Sequence, residues 1–422
     1  MKRTILKALC RGLCLTAWTL AAVASSQTNA PTASVDELVR LALSENPEIR
    51  FYEAQIEAAK AGVRLAGQWE NPELDLQAGH KRAWSGTAYQ NGHALYATLS
   101  QRIEFPKRIE LRKSIANGDV RLATLGLEKF RATIRNRIRA AVLRHQFANE
   151  RAETAREVAG RAGELLEVLV QRDPAGVAPL LEKRVIEALL VSLRAQVRGF
   201  EQEARRQRTE LNYLVQAPLD AAVDLAAMEP VLAAVGSAEE LMGIAETNSF
   251  DLLFHVAELE QQGFQVKLEK HVRWPDVTLA PFFGRETGGG PQNIIGLGIT
   301  LPLPIWNRNE PSIDAAKARE RQLEASFRVT LRQLHRDIVQ HAGGYDGALN
   351  QLKEWRPDAI SEFRKAAELG DRHYRLGAIE VSTYLELQSQ YLNAIGTLLD
   401  LRAEAFENLL ELELLTGKQL AN

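Results

Sequence analysis

At 422 residues, with 45% hydrophobic and 25% charged residues, the chain is long enough for two or three folded units of ordinary composition. A formal net charge of −2 excludes the basic footprint of a nucleic-acid binder. Both cysteines, Cys10 and Cys14, fall in the first 24 residues, which excludes a disulfide framework or a thiolate metal site in everything that follows.

Residues 1–24 read as a secretory signal peptide. Lys2, Arg3, Lys7 and Arg11 precede a short apolar run at 13–23, and Ala22-Val23-Ala24 offers a small-x-small cleavage site. The run is too short for a membrane span, and neither cysteine sits in a lipoprotein context. Loss of these four cations moves the formal charge to −6. A polar stretch at 25–34 leads into the folded chain.

From Val35 the apolar positions fall at helical spacing: Leu38, Ala42, Ile49, Tyr52, Ile56, Ala59, Val63 and Ala66. Asn46 is a cap and Pro47 a first helical residue, so a brief break is predicted there. At Asn71-Pro72 the period becomes two. Leu74, Leu76 and Ala78 alternate with Glu73, Asp75 and Gln77, a polar loop begins at Gly79, and alternation resumes from Leu95 to Ile103. Phe105-Pro106 ends it. Residues 109–172 contain no proline and few glycines, enough for a single helix of roughly 95 Å. A second long helical run covers 179–215, and an Ala-, Pro- and Asp-rich connector covers 217–238.

The pattern then repeats. Residues 37–76 align without a gap on 240–279, an offset of 203, with identities that include Glu37/Glu240, Phe51/Phe254, Pro72/Pro275 and Leu76/Leu279. In the second copy Val277, Leu279 and Phe283 lead into a glycine-rich loop. Ile295, Leu297, Ile299, Leu301 and Leu303 then alternate with small or polar residues up to Pro304. Long helical runs follow at 312–374, with a brief break at Gly343-Gly344, and at 381–416. The predicted units are therefore 35–216, with a hairpin at about 73–105, and 239–420, with a hairpin at about 276–304. Pro72, Pro106, Pro275 and Pro304 mark the transitions between helix and strand.

Strands of about 8–11 residues match a hydrocarbon core, but four strands cannot close a barrel, and an open edge in lipid leaves backbone groups unpaired. Three chains pooling their hairpins would give twelve strands. Trp69, Trp84, Tyr89, Tyr96, Trp274 and Trp306 fall near predicted strand ends, where interfacial aromatics are expected. Alternation alone also fits a soluble sheet packed on the helices. The leader and the duplication favour the outer membrane. The expected class is mainly α with a small β part: a long α-helical coiled-coil barrel plus a transmembrane β-barrel, four strands per chain, closed by trimerisation.

The run Leu301-Pro302-Leu303-Pro304-Ile305-Trp306-Asn307-Arg308-Asn309 resembles the TolC-like outer-membrane efflux family. Within it, the chain is most similar to the outer-membrane component of heavy-metal (cobalt/zinc/cadmium type) resistance–nodulation–division systems. Asn71-Pro72 and Tyr374-Arg375-Leu376-Gly377 carry the same resemblance, which spans the mature chain; Glu310-Pro311 departs from the family's usual Gln-Gly. The resemblance implies a homotrimer in outer-membrane lipid and a tapered periplasmic tunnel. It also implies a periplasmic adaptor (membrane fusion protein), an inner-membrane pump of that type, and no catalysis. By the same resemblance Gly176, Val177, Leu376, Gly377 and Ala378 are adaptor-docking turns. The resemblance further implies that Glu182 and Glu386 line the aperture, with Tyr374 and Arg375 as candidate partners in a closed state.

The expected cargo is a heavy-metal cation. The rivals are a conduit for drugs or other small organic compounds, and a soluble periplasmic scaffold or adaptor. No cofactor is expected. His80 and His93 flank the first loop, His335 and His341 are six apart, and no histidine pair has helical ligand spacing, so no metal site is expected either.

Overall fold

The computed structural model describes residues 34–85, 88–105, 107–172, 177–223, 225–356 and 358–420. The predicted leader, Pro106 and Gly176 lie outside these. The first set of elements is α1 (Val35–Glu45), α2 (Pro47–Ala66), β1 (Glu73–Ser85), β2 (Ala88–Ile103), α3 (Arg108–Arg172) and α4 (Val177–Leu214). The second is α5 (Ala238–Asn248), α6 (Phe250–Val272), β3 (Val277–Glu286), β4 (Gln292–Thr300), α7 (Glu310–Glu354), α8 (Ala359–Arg375) and α9 (Val381–Thr416). The offset of 203 relates Val35 to Ala238 and also Arg172 to Arg375, so it extends far beyond the stretch of visible identity.

Both sets open on the same device. Ser34 Oγ accepts from the Glu37 N–H at 3.2 Å while the Glu37 carboxylate accepts from the Ser34 N–H at 3.0 Å, and Ser237 with Glu240 repeats both distances. Each reciprocal pair satisfies two donors that a helix start would otherwise leave exposed. The break before Pro47 is as predicted: Asn46 Oδ1 accepts from the Glu48 N–H at 2.8 Å and Pro47 takes the first helical position.

Helix α3 runs 65 residues, about 98 Å at ~1.5 Å per residue, and α4 returns along it. The break expected at Gly343-Gly344 is absent, because α7 runs through both glycines. The interruption falls instead between α7 and α8, where Trp355 caps α7 in an extended conformation. Three apolar clusters hold the helices. Leu38 and Ala42 of α1 meet Ile134, Ile138 and Val142 of α3 and Leu211 of α4. Phe147 and Val158 of α3 join Ile338 and Tyr345 of α7 and Tyr391, Ile395 and Phe406 of α9. The third, at the far end, unites Leu165, Ile186, Tyr374 and Tyr384. The connector before α5 is pinned to this core, with Tyr345 Oη donating to the Ala233 carbonyl at 2.7 Å and the Met228 N–H donating to Gln146 Oε1 at 2.9 Å.

The four strands form one antiparallel sheet in the order β1-β2-β3-β4. Strands β1 and β2 are 13 and 16 residues long, not 8–11, since the predicted polar loop after Gly79 stays paired as far as Ser85 opposite Ala88. Strand β4 ends at Thr300 rather than Pro304, its last paired residue facing Thr278 near the start of β3.

Candidate channel aperture and its anchoring junction

The far end of the helices carries the residues expected to form the aperture. Helix α8 closes in a Schellman turn: the Gly377 N–H donates to the Tyr374 carbonyl and the Ala378 N–H to the His373 carbonyl, both at 2.9 Å. Gly377 has φ +74°, a left-handed conformation that costs other residues a Cβ clash. Leu376 beside it is exposed. Val177 opens α4 at the companion turn.

Tyr374 and Glu182 come together, Tyr374 Oη donating to Glu182 Oε2 at 2.9 Å. Behind them Tyr374 stacks on buried Tyr384, ring centres 5.3 Å apart, and burial pushes the Tyr384 hydroxyl pKa well up. The structure gives Arg375 different partners from those expected. Its Nε donates to Asp371 at 2.8 Å and its Nη2 to Glu164 at 3.2 Å, which draws it along α8 and across to α3. Burial works against the Arg375 charge, but the hydrogen bond and field of Asp371, reinforced by Glu164, hold its pKa above the ordinary value. Glu386 stands exposed one turn from Gln390, which donates to it at 2.6 Å. The tip thus presents the carboxylates of Glu164, Glu182 and Glu386, of which Glu182 is held by a neutral phenol.

At the opposite end, where α6 hands over to β3 after Pro275, a buried junction ties the two sets of elements. Asp276 accepts from Arg108 Nη1 at 2.6 and 2.8 Å, from Arg102 Nε and Nη2 at 3.0 and 2.7 Å, and from the Phe105 N–H at 3.0 Å. Arg108 also donates to the carbonyls of His271, Val272 and Trp274. Burial disfavours the Asp276 carboxylate, yet the Phe105 amide and the two guanidiniums outweigh it, and its pKa lies below the ordinary value. Pro72 directly precedes β1, whereas Pro304 lies beyond the paired part of β4.

The sheet itself has two unlike faces. Outward stand Leu74 and Leu76, Leu95 and Leu99, Phe283, and Ile295, Leu297 and Ile299, with Ile295 82% exposed. Inward, Glu286 takes hydrogen bonds from Lys81 and Tyr96. Tyr96 therefore lies mid-strand on the inner face, not at a strand end as expected. It covers Gly284, and Phe282 covers Gly296; a Cβ on either glycine would lie about 2.4–2.5 Å from the ring. Trp69, Trp274 and Trp306 are exposed near the end of the sheet where it meets the helices. Among the described residues no helix is long and apolar enough to cross a membrane.

The sequence profile of the outer membrane efflux proteins matches residues 38–215 and again 241–418, once per copy and at the same offset. The chain belongs to the outer membrane efflux protein family. This efflux protein is 22% identical over 381 residues to the pyoverdine export outer membrane protein OpmQ of Pseudomonas aeruginosa, covering 84% of this chain and 78% of that relative. To the cobalt-zinc-cadmium resistance protein CzcC of Cupriavidus metallidurans it is 24% identical over 375 residues, 86% of each. Its fold matches the outer-membrane channel OprN with a TM-score of 0.74 at 18% identity, covering 91% of this chain and 89% of that one. The efflux protein is thus an outer-membrane efflux component with the fold of the outer-membrane channels.

Sequence reasoning about this efflux protein reached Glu182, Tyr374 and Arg375 but missed Glu164, Asp371, Tyr384, Arg102, Arg108 and Asp276. Asp371 stands at the local i,i+4 spacing from Arg375, a signal available in the sequence, whereas the partners of Glu164, Arg102, Arg108 and Asp276 lie 168–211 residues away, where no local spacing points to them.

Proposed function

We propose that three copies of the chain assemble into a passive conduit from periplasm to exterior, and that the chain catalyses nothing itself. The open sheet carries this reading: β1 and β4 have one edge each without a partner among the described residues, on a sheet whose outward face is apolar. In lipid such edges must be satisfied, and three sheets of four strands supply a closed barrel of twelve, within the known range for membrane barrels. The long helices α3, α4, α7–α8 and α9 then continue as the tunnel wall. The repeats at 35–216 and 239–420, joined at 217–238, are the two structural units of each copy.

A periplasmic adaptor docks at the turns around Gly176, Val177, Leu376, Gly377 and Ala378. An inner-membrane pump of the resistance–nodulation–division type supplies the energy. The cargo favoured by the tip carboxylates and by the likeness to CzcC is a heavy-metal cation. The likeness to OpmQ supports a second reading, a conduit for a small organic compound. Sensitivity of a deletion strain to cobalt, zinc and cadmium separates the two: unchanged metal tolerance would sink the metal reading. Glu182 and Glu386 line the aperture. In planar-bilayer conductance, Glu182→Ala with Glu386→Ala is expected to lower cation selectivity, and unaltered selectivity would remove them from that role.

A further inference from the structure

The outward face of the sheet changes character at one level. On β1, Leu74, Leu76 and Ala78 give way to His80 and Arg82; on β2, Leu99, Ala97 and Leu95 give way to His93 and Asn91. Phe283 on β3 is followed outward by Arg285, and Ile295 on β4 by Asn293. Ten residue steps separate Ile103 from His93, about 34 Å at ~3.4 Å per residue. At the usual strand tilt of about 40° this is about 26 Å of height, the thickness of the apolar band on an outer-membrane barrel. The two histidines therefore stand at the outer rim of that band, where water reaches them.

The register sets His80 directly opposite His93. Both are exposed, with ring centres 5.7 Å apart and planes at 68°. Two imidazoles that share one ion, each with a nitrogen about 2.0–2.1 Å from it, have ring centres roughly 5 Å apart in adjacent coordination positions. His80 Nε2 lies 3.3 Å from Asn91 Oδ1. An amide oxygen only accepts, so Nε2 is the donor of this contact and Nδ1 is the nitrogen left to bind an ion; an oxygen-anchored imidazole is the usual support of a metal-ligand histidine. Thr287 fixes the other side, its Oγ1 accepting from the His93 N–H at 2.8 Å and its N–H donating to the His93 carbonyl at 2.8 Å. No described residue on the outward face of the strands is a carboxylate; Glu286 points inward to Lys81 and Tyr96. Two neutral nitrogens without a carboxylate do not suit Mg²⁺ or Ca²⁺, which take oxygen ligands, and rank Cu²⁺ first among the divalent first-row ions.

We propose that His80 and His93 form an outward-facing site for a divalent transition-metal ion, copper(II) foremost, with water completing the coordination. The site is on the outside of the sheet, so it is no step in conduction and is independent of which cargo the channel carries. The test is a Cu²⁺ titration of the purified full chain in detergent, followed by calorimetry and electron paramagnetic resonance. Wild type is expected to bind one more Cu²⁺ per chain than the His80→Gln/His93→Gln double variant, with nitrogen splitting from two imidazoles and no competition from Mg²⁺. Each single glutamine variant should bind at least about tenfold more weakly, and Asn91→Ala, which removes only the anchor, about tenfold more weakly. Glutamine keeps the exposed surface polar, so the fold is preserved. Equal stoichiometry in wild type and the double variant, or undiminished affinity in either single variant, overturns the proposal.

Discussion

Replacing Asp276 with alanine removes the carboxylate on which Arg108, Arg102 and the Phe105 amide converge. Arg108 is 8% exposed and would keep only backbone carbonyls around its charge. Breaking a buried ion pair from one side costs about 3–5 kcal/mol. Those carbonyls still solvate the guanidinium, which places the expected loss near the lower end, about 3 kcal/mol. Arg102 adds little, because its side chain is half exposed and such pairs contribute under about 1 kcal/mol. Asp276→Asn keeps an acceptor and loses the charge, for an expected cost of about 1–2 kcal/mol. The assay is denaturant unfolding of the detergent-solubilised protein as a function of pH. Because the folded carboxylate titrates below its ordinary value of 3.8, its contribution is complete above that pH and disappears as pH falls through the lower folded value. Wild type and the asparagine variant should therefore differ at neutral pH and converge in acid. An alanine variant within about 1 kcal/mol of wild type at neutral pH would refute the idea that this junction holds the two copies together.

Other substitutions test the remaining pieces. Ser34→Ala and Ser237→Ala should each cost about 1 kcal/mol in denaturant unfolding, and by nearly equal amounts, since the two capping boxes share their distances. Gly377→Ala meets no neighbour within 4 Å, so its expected cost of about 1–2 kcal/mol is backbone strain alone; a thermal shift shows it. Gly296→Ala drives a methyl into the Phe282 ring and should reduce the yield of detergent-resistant assembled protein on gels. Tyr374→Phe removes the hydrogen bond to Glu182, and single-channel recordings should show higher or more frequent conductance.

The helix ends were legible because their causes are local. Ser34, Asn46 and Pro47 act on their immediate neighbours, and the duplication supplied a second reading of each. The outer halves of β1 and β2 were not, since their pairing rests on register partners such as His80 and His93, which show no apolar alternation. Two glycines misled: Gly343 meets nothing within 4 Å and Gly344 packs on Asn408, so the continuous helix tolerates both. At the tip, Tyr374 and Glu182 were readable as residue types and Asp371 lies one helical turn before Arg375, but the reach of Arg375 to Glu164 depends on how α3 and α8 lie side by side.

The sheet order has a consequence in time. Strand β2 finds its second neighbour only in β3, and the bonds between Arg102 and Asp276 already bridge 174 residues. Closing a loop of that length costs about 4–5 kcal/mol of chain entropy, which the Asp276 junction and the β2–β3 ladder must repay together. Until the second copy has emerged, the first hairpin carries a greasy face and two open rims with no mate. The chain's earliest strands are thus finished among its last events, and they need shelter during the wait.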